Sequence, residues 1–170
     1  MIDDARSSNE ERTVTRIRAA KPEDTARLGE LAGILVRMHH ELDPARFISG
    51  QGVDAGYGRW LWTEAARGAV VLVAEDAADV VVGYAYATVE AQDWIELLGA
   101  HGKLHDIVVD PNTRRHGHAR ALLSATIDEL ERRGAPRVVL STAVKNAGAQ
   151  ALFRSFGFEP TMIEMTKSFR

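Results

Sequence analysis

Seven consecutive residues, Arg114-Arg115-His116-Gly117-His118-Ala119-Arg120, carry the clearest chemical pattern in the chain. An apolar run at 104–109 and a short polar turn at 110–113 precede them, and an amphipathic run follows. Strand, turn and helix are the natural reading, so the basic segment opens a helix. The first N–H groups of a helix lack intrahelical acceptors, and its dipole end is positive, which makes the turn a seat for phosphate. Small residues at 117 and 119 let the backbone approach such an anion closely. Without an anion the segment would be a solvated basic helix start, and basic residues there oppose the dipole. A grip on a phosphorylated cofactor accounts for the pattern better, and an enzyme is the leading reading.

A second cluster, His39-His40-Glu41-Leu42-Asp43-Pro44-Ala45-Arg46-Phe47, brings two histidines and two acids together. Adjacent residues on a helix point about 100° apart, and no third ligand has the spacing of a metal site, so no metal is expected. Pro44 reads as the stop of a helix.

The chain has 170 residues, 45% of them hydrophobic and 26% charged, a composition that suits one globular domain. A net charge of -3 argues against a general nucleic-acid binder. The sequence has no cysteine, which excludes disulfides, thiolate metal ligands and a cysteine nucleophile. It shows no signal-peptide pattern and no run long enough to cross a bilayer, so a cytoplasmic protein without a membrane partner is expected.

Several elements must position these residues. Residues 1–12 are polar and aperiodic, expected as a flexible tail before a single domain at 13–170. Residues 14–18 predict a strand, and Pro22 suits the first turn of a helix with Leu28, Leu31, Leu35 and Met38 on one face. The glycine-rich stretch 41–58 predicts a loop, and 57–67 a second helix. Runs 70–74 and 80–89, rich in β-branched residues, flank a polar turn and predict an antiparallel hairpin, with Gly83 hinting at a bulge. A connection at 91–102 leads to the strand at 104–109. The next helix carries Leu123, Ile127 and Leu130 and ends at Gly134 and Pro136. A strand at 138–142, a helix at 147–156 and a final strand at 161–169, paired near Phe158, complete the reading. The strand–helix–strand crossover from 104 to 142 makes its two strands parallel, so an α/β mixed sheet with helices on both faces is expected.

This order, with two motifs, resembles the GNAT superfamily of acyl-CoA-dependent N-acetyltransferases from about residue 14 onward. The family signature Gln/Arg-x-x-Gly-x-Gly/Ala is met by Arg114, Gly117 and Ala119 between a strand and a helix. The run from Asn146 through Ala149, Leu152 and Phe153 to Gly157-Phe158 is similar to the family's Asn-x-x-Ala-x-x-Leu-Tyr-x-x-x-Gly-Phe segment. Arg115 stands where Gly is frequent, His118 where a small apolar residue is common, and Phe153 where Tyr is common. The first two departures leave a site made of backbone amides intact. The resemblance implies a GNAT-like mixed, mostly antiparallel central sheet of six to seven strands.

It also implies acetyl-CoA as acyl donor. The turn Arg114, Arg115, His116, Gly117, His118, Ala119 and Arg120 would wrap the pyrophosphate. Ile107, Val108 and Val109 would offer backbone groups to the pantetheine arm, where family sheets splay, and one amide could polarise the thioester carbonyl. Asn146 either bonds the cofactor or simply caps its helix, and Phe153 lies on the cofactor side. The reaction implied is acetyl transfer to a primary amine of a small molecule or peptide by direct attack. His105 or Asp106 would take the amine proton, and strand alternation lets only one of them face the substrate. Phe153 cannot protonate the leaving thiolate, which leaves Ser141 and Thr142 as weak donors. Substrate recognition falls to the first half, with Glu41 and Asp43 for a cationic amine and Tyr84, Trp60, Trp62, Tyr86 and Trp94 as cleft candidates. A homodimer is the assembly the family suggests.

Two other classes compete. An acyl-CoA-binding regulator without turnover is motivated by Phe153. A dinucleotide-binding module fits poorly, because the turn has one glycine and follows antiparallel strands.

Overall fold

The computed structural model describes residues 15–169, so the expected tail at 1–12 lies outside the described residues. One sheet runs in the order β1 (Arg16–Ala19), β2 (Val70–Glu75), β3 (Val81–Glu90), β4 (His101–Val109) and β5 (Val138–Leu140). Neighbours are antiparallel up to β4, and β4 pairs with β5 in parallel. The mixed, mostly antiparallel sheet is as expected. Among the described residues it has five strands rather than six to seven. The segment 161–169 joins no strand despite its pattern, and Met162, Ile163 and Met165 stay exposed. Its Glu164 instead pairs with Arg46 in the connection between the first two helices.

Helices α1 (Thr25–Leu42) and α2 (Asp54–Ala66) cover one face of the sheet; α3 (His118–Arg132) and α4 (Ala147–Arg154) cover the other. Each face collects alternate strand residues, as a period of two requires. Val71, Val73, Tyr84, Tyr86 and Val108 pack with Leu28, Leu31 and Leu61. Val70, Ala74, Ala85, Leu104 and Val109 pack with Leu122, Leu123 and Leu130. Among the described residues no helix is long and apolar enough to cross a membrane.

Helix α2 starts three residues earlier than the glycine content of 41–58 predicts. Gly58 is a contact residue there, not a loop residue. A Cβ on it would lie 2.2 Å from the carbonyl oxygen of Thr25, because α1 and α2 cross backbone against backbone.

Two breaks in register shape β3 and β4. Next to Gly83, Ala74 pairs with Gly83 but Glu75 with Val81, which leaves Val82 over. Farther on, Tyr86 pairs with Asp106 but Ala87 with Leu104, so His105 is an extra residue in β4. Such a bulge puts two residues opposite one and bends the strand.

Candidate active site

The turn before α3 is built from both sides. Asp110 accepts from the amide of Asn112 at 2.9 Å and fixes a single 3-10 turn at Pro111–Thr113. Arg27 of α1 reaches across to the Asp110 carboxylate at 2.6 Å, and that pairing holds the carboxyl below its ordinary range. Beyond this anchor the backbone turns left-handed at Arg115 (φ 72°) and again at Gly117 (φ 84°). A Cβ on Gly117 would meet nothing within 4 Å, so the turn is open on that side. The N–H groups of Gly117, His118, Ala119 and Arg120 find no acceptor among the described residues; Ala121, donating to Gly117 O at 3.0 Å, is the first that does. Four aligned, unengaged donors at a helix start form a concavity for an anion.

The side chains of the turn divide. Arg114, Arg115 and His116 are exposed. His118 turns inward, only 2% exposed, and its Nδ1 lies 2.8 Å from Thr15 Oγ1. Burial lowers its pKa, so it offers its amide rather than a charge to the turn. Arg120 donates to Ser155 Oγ at 3.0 Å and lies over Phe156.

Strand β4 carries the next part. Its pairing with β5 ends at Leu104 opposite Leu140, one residue before the bulge. From Asp106 to Val109 the edge toward β5 has no strand partner among the described residues, while the other edge stays paired to β3 as far as Val109 opposite Gly83. Val108 and Val109 side chains are buried and Ile107 is half-buried. The side chains of these residues are thus core, and their backbone forms an open edge. Across the splay, Asn146 acts as a helix cap, its Oδ1 accepting from the amide of Ala149 at 3.1 Å. Phe153 is 6% exposed and packs edge-on against Phe158, inside the core rather than on a free surface.

At the bulge lies a cleft of about 310 Å³ whose walls include Tyr57, Trp60, Tyr86, His105, Asp106 and Ser141. The expectation that only one of His105 and Asp106 could face it is corrected here. The extra residue breaks alternation, and both line the same space. Asp106 Oδ2 accepts two phenol hydrogen bonds, from Tyr57 at 2.8 Å and Tyr84 at 3.0 Å. Burial pushes the Asp106 carboxyl up, and the two phenols pull against that shift. Burial and the same carboxylate raise both phenols far above their ordinary range, so they remain donors. Tyr84, expected to touch substrate, is 0% exposed. It lies beneath the cleft, and its hydroxyl acts on Asp106.

His105 stacks on Tyr86 with ring centroids 4.7 Å apart, and its Nε2 lies 2.7 Å from Thr88 Oγ1. The Thr88 hydroxyl donates its one hydrogen to Glu90 at 2.5 Å, so it must accept from His105 Nε2–H. That hydrogen bonding leaves Nδ1 as the basic nitrogen. Burial first, then the charge of Lys103, lowers the pKa of this histidine, which keeps it neutral near pH 7.

Other candidates lie elsewhere. Glu41, in the last turn of α1, and Asp43, just after it, are exposed and do not line the cleft. Trp62 lines a separate cavity beside β1 and β2, and Trp94 stands 77% exposed between β3 and β4. His39 and His40 each place Nδ1 on a carbonyl oxygen, of Leu35 and Phe47 respectively. Sequence reasoning gave no role to Tyr57. Its only sequence signal was the Tyr57–Trp60 spacing of three, which puts both rings on one helix face.

Comparison with known proteins fits this geometry. Over 60 residues the chain is 47% identical to the ribosomal protein bS18-alanine N-acetyltransferase of Escherichia coli (strain K12). That stretch is 35% of this chain and 40% of the relative, so the chain spans about two fifths of that relative's length. Over 101 residues it is 35% identical to the L-methionine sulfoximine/L-methionine sulfone acetyltransferase of Pseudomonas aeruginosa, 59% of this chain and 56% of the relative. An aminoglycoside N-acetyltransferase solved in complex with CoA has the same fold, with a TM-score of 0.67 at 19% identity over 93% of this chain and 96% of that one. Residues 26–158 match the model of the acetyltransferase (GNAT) family, well over half of the sequence, and the chain belongs to that family.

Proposed function

We propose that this protein is an N-acetyltransferase that moves an acetyl group from acetyl-CoA to a primary amine by direct attack. One observation carries the reading. A single strand, β4, joins an open backbone edge, two proton acceptors at its bulge, and a turn with four unengaged amides. A long thioester with a diphosphate at one end needs that sequence of features. The open turn at Gly117 and the free edge from Asp106 to Val109 fit such a molecule. Bound there, acetyl-CoA supplies the activated acyl group.

The chain's own residues supply positioning and proton transfer. Amides at 117–120 hold the diphosphate, and the exposed Arg114 and Arg115 add charge at the same end. An amide of the open β4 edge polarises the thioester carbonyl. Asp106 takes the proton of the attacking amine at Oδ1, the oxygen not engaged by the two phenols. Neutral His105, with Nδ1 free, is the second acceptor in the cleft. Ser141 lines the cleft just after β5 and brings a hydroxyl there, where Phe153 has none to offer. A thiolate leaves tolerably well without an acid, so the absence of a tyrosine slows the reaction rather than forbidding it.

The relatives named above acetylate a protein amine in one case and small amines in the others, which supports an amine-bearing acceptor. Titration calorimetry with acetyl-CoA and CoA, followed by thiol release over an amine panel, tests the reading. Binding with thiol release supports it. Failure to bind either ligand overturns it. Binding without release for every amine favours an acyl-CoA-binding regulator, the reading that Phe153 motivates.

A further inference from the structure

The cleft contains a charged group that acetyl transfer as described leaves unused. Lys103 lines it together with Asp106 and is half-buried. The nearby acids have other partners: Asp106 two phenols, Glu90 Thr88, with His105 Nε2 at 3.8 Å, and Asp93, which feels the Lys103 charge, the amides of Ile95 and Glu96 on its Oδ1. Among the described residues Lys103 has no ion-pair partner.

The register fixes how Lys103 and Asp106 relate. Lys103 pairs with Thr88 and Asp106 with Tyr86, so their partners are two residues apart on β3. The bulge therefore makes them successive same-face neighbours, with Cα atoms about 7 Å apart. A cation and an anion at that separation face one small space. Aromatic rings form its third side. Trp60 packs edge-on against Tyr57 at 5.2 Å and Tyr86 at 5.1 Å, and Tyr86 stacks on His105.

A simple cationic amine drawn to Asp106 would sit close to a lysine that makes no direct ion pair among the described residues and has only the Asp93 charge nearby to offset it. An amine with an anionic group a few bonds away satisfies both charges. The volume of about 310 Å³ is at the low end for small-molecule sites. We propose that the acceptor is a small zwitterion of amino-acid type, its amine on Asp106, its anionic group on Lys103 and its side chain against Trp60 and Tyr86. This inference rests on the acetyltransferase reading and narrows its substrate.

The test compares leucine, leucinamide and 3-methylbutylamine as acceptors at saturating acetyl-CoA, with thiol release as the readout. The three share a side chain and differ in the anionic group. We expect kcat/KM for leucine to exceed both others at least tenfold. In Lys103→Met that ratio falls to about one, mainly through KM for leucine, and Lys103→Arg retains most of the preference. Equal or better use of leucinamide or the plain amine by the parent protein overturns the inference while acetyl transfer stands. So does turnover confined to other amines without a nearby anion, such as a peptide N-terminus, or a ratio unchanged in Lys103→Met. Acetyl-CoA binding with no amine acetylated at all removes the acetyltransferase reading, and the inference with it.

Discussion

Replacing Asp106 with Asn separates the two things this residue does. Asn keeps the size of the side chain and an oxygen for the hydroxyls of Tyr57 and Tyr84, so the fold should persist. It removes the titration. In the folded protein burial raises the Asp106 carboxyl above the ordinary value of about 3.9. The folded state then binds more protons than the unfolded one between those two values. Stability from this group is therefore fully present below the ordinary value and is lost as pH rises through the folded one. One proton gives a slope of at most about 1.4 kcal/mol per pH unit, or roughly 3–6 °C of melting temperature per unit for a chain of this size. Catalysis runs the other way, because only the ionised carboxylate accepts a proton.

The wild-type protein should thus lose melting temperature and gain kcat across the same pH window. Asp106→Asn should lose 10²–10⁴-fold in kcat, the usual worth of a general base, and the falling limb of stability should vanish. His118, whose pKa burial lowers, contributes a slope of the opposite sign in both proteins and cancels in the difference. His105, also lowered by burial, loses the opposing pull of Asp106 in the variant, so its rising slope grows there and adds to the falling wild-type-minus-variant difference. The assay is a set of thermal melts by circular dichroism from pH 4 to 8, beside thiol release over the same range. If the wild-type-minus-variant melting difference is flat with pH, or if the variant retains activity within tenfold, Asp106 is not the base.

Three further outcomes follow from the same geometry. Tyr57→Phe removes one of two phenol donors to Asp106, a bond worth about 1.5–3 kcal/mol to a charged acceptor; the acid limb of kcat should move to higher pH, and an unmoved limb contradicts the role given to Tyr57. Gly117→Ala forces a side chain into φ 84° at a cost of about 1–2 kcal/mol, and if the turn relaxes to avoid it, calorimetry should show acetyl-CoA affinity down roughly tenfold. Gly58→Ala gains about 1 kcal/mol of helix propensity but places a carbon 2.2 Å from Thr25 O, so the melting temperature should fall, whereas a rise would mean α1 and α2 separate at little cost.

Periodic features were legible from the residues alone. The stripe Leu28, Leu31 and Leu35 belongs to α1, and the hairpin, the turn at Gly117 and the crossover to β5 stand where patterning put them. Four features were not legible, each for a physical reason. Gly56 and Gly58 carry loop-like composition, yet both lie in α2: Gly58 because a close helix crossing needs its missing Cβ, whereas Gly56 is exposed with nothing within 4 Å of a Cβ and is carried along in the same helix. The segment 161–169 has a strand's pattern, but a pattern does not supply a neighbouring strand, and its described ion pair runs to Arg46. Tyr84 alternates correctly for a cleft residue, and only the depth of α1 and α2 over it decides that its ring is core and its hydroxyl a support.

The bulge at His105 is the most consequential of the unseen features, because local pattern and distant partner disagree there. Omit His105, and β4 alternates without fault: Leu104, Ile107 and Val109 face α3, while Asp106 and Val108 face α1 and α2. Hydrophobicity thus marks no irregularity, and an alternation argument must assign His105 and Asp106 to opposite faces. The pairing with β3 shows instead that His105 is surplus to the ladder. Two consequences arise at that residue. The bend it introduces coincides with the last β4–β5 pair, at Leu104, so the open edge begins there. The surplus side chain lands beside Asp106, so two proton acceptors share one cleft. Phe153 is committed to core packing and offers no proton from α4, so proton handling in the proposed mechanism falls to this strand. Donor site and acceptor chemistry are then coupled through one inserted residue, and a change at position 105 should disturb both together.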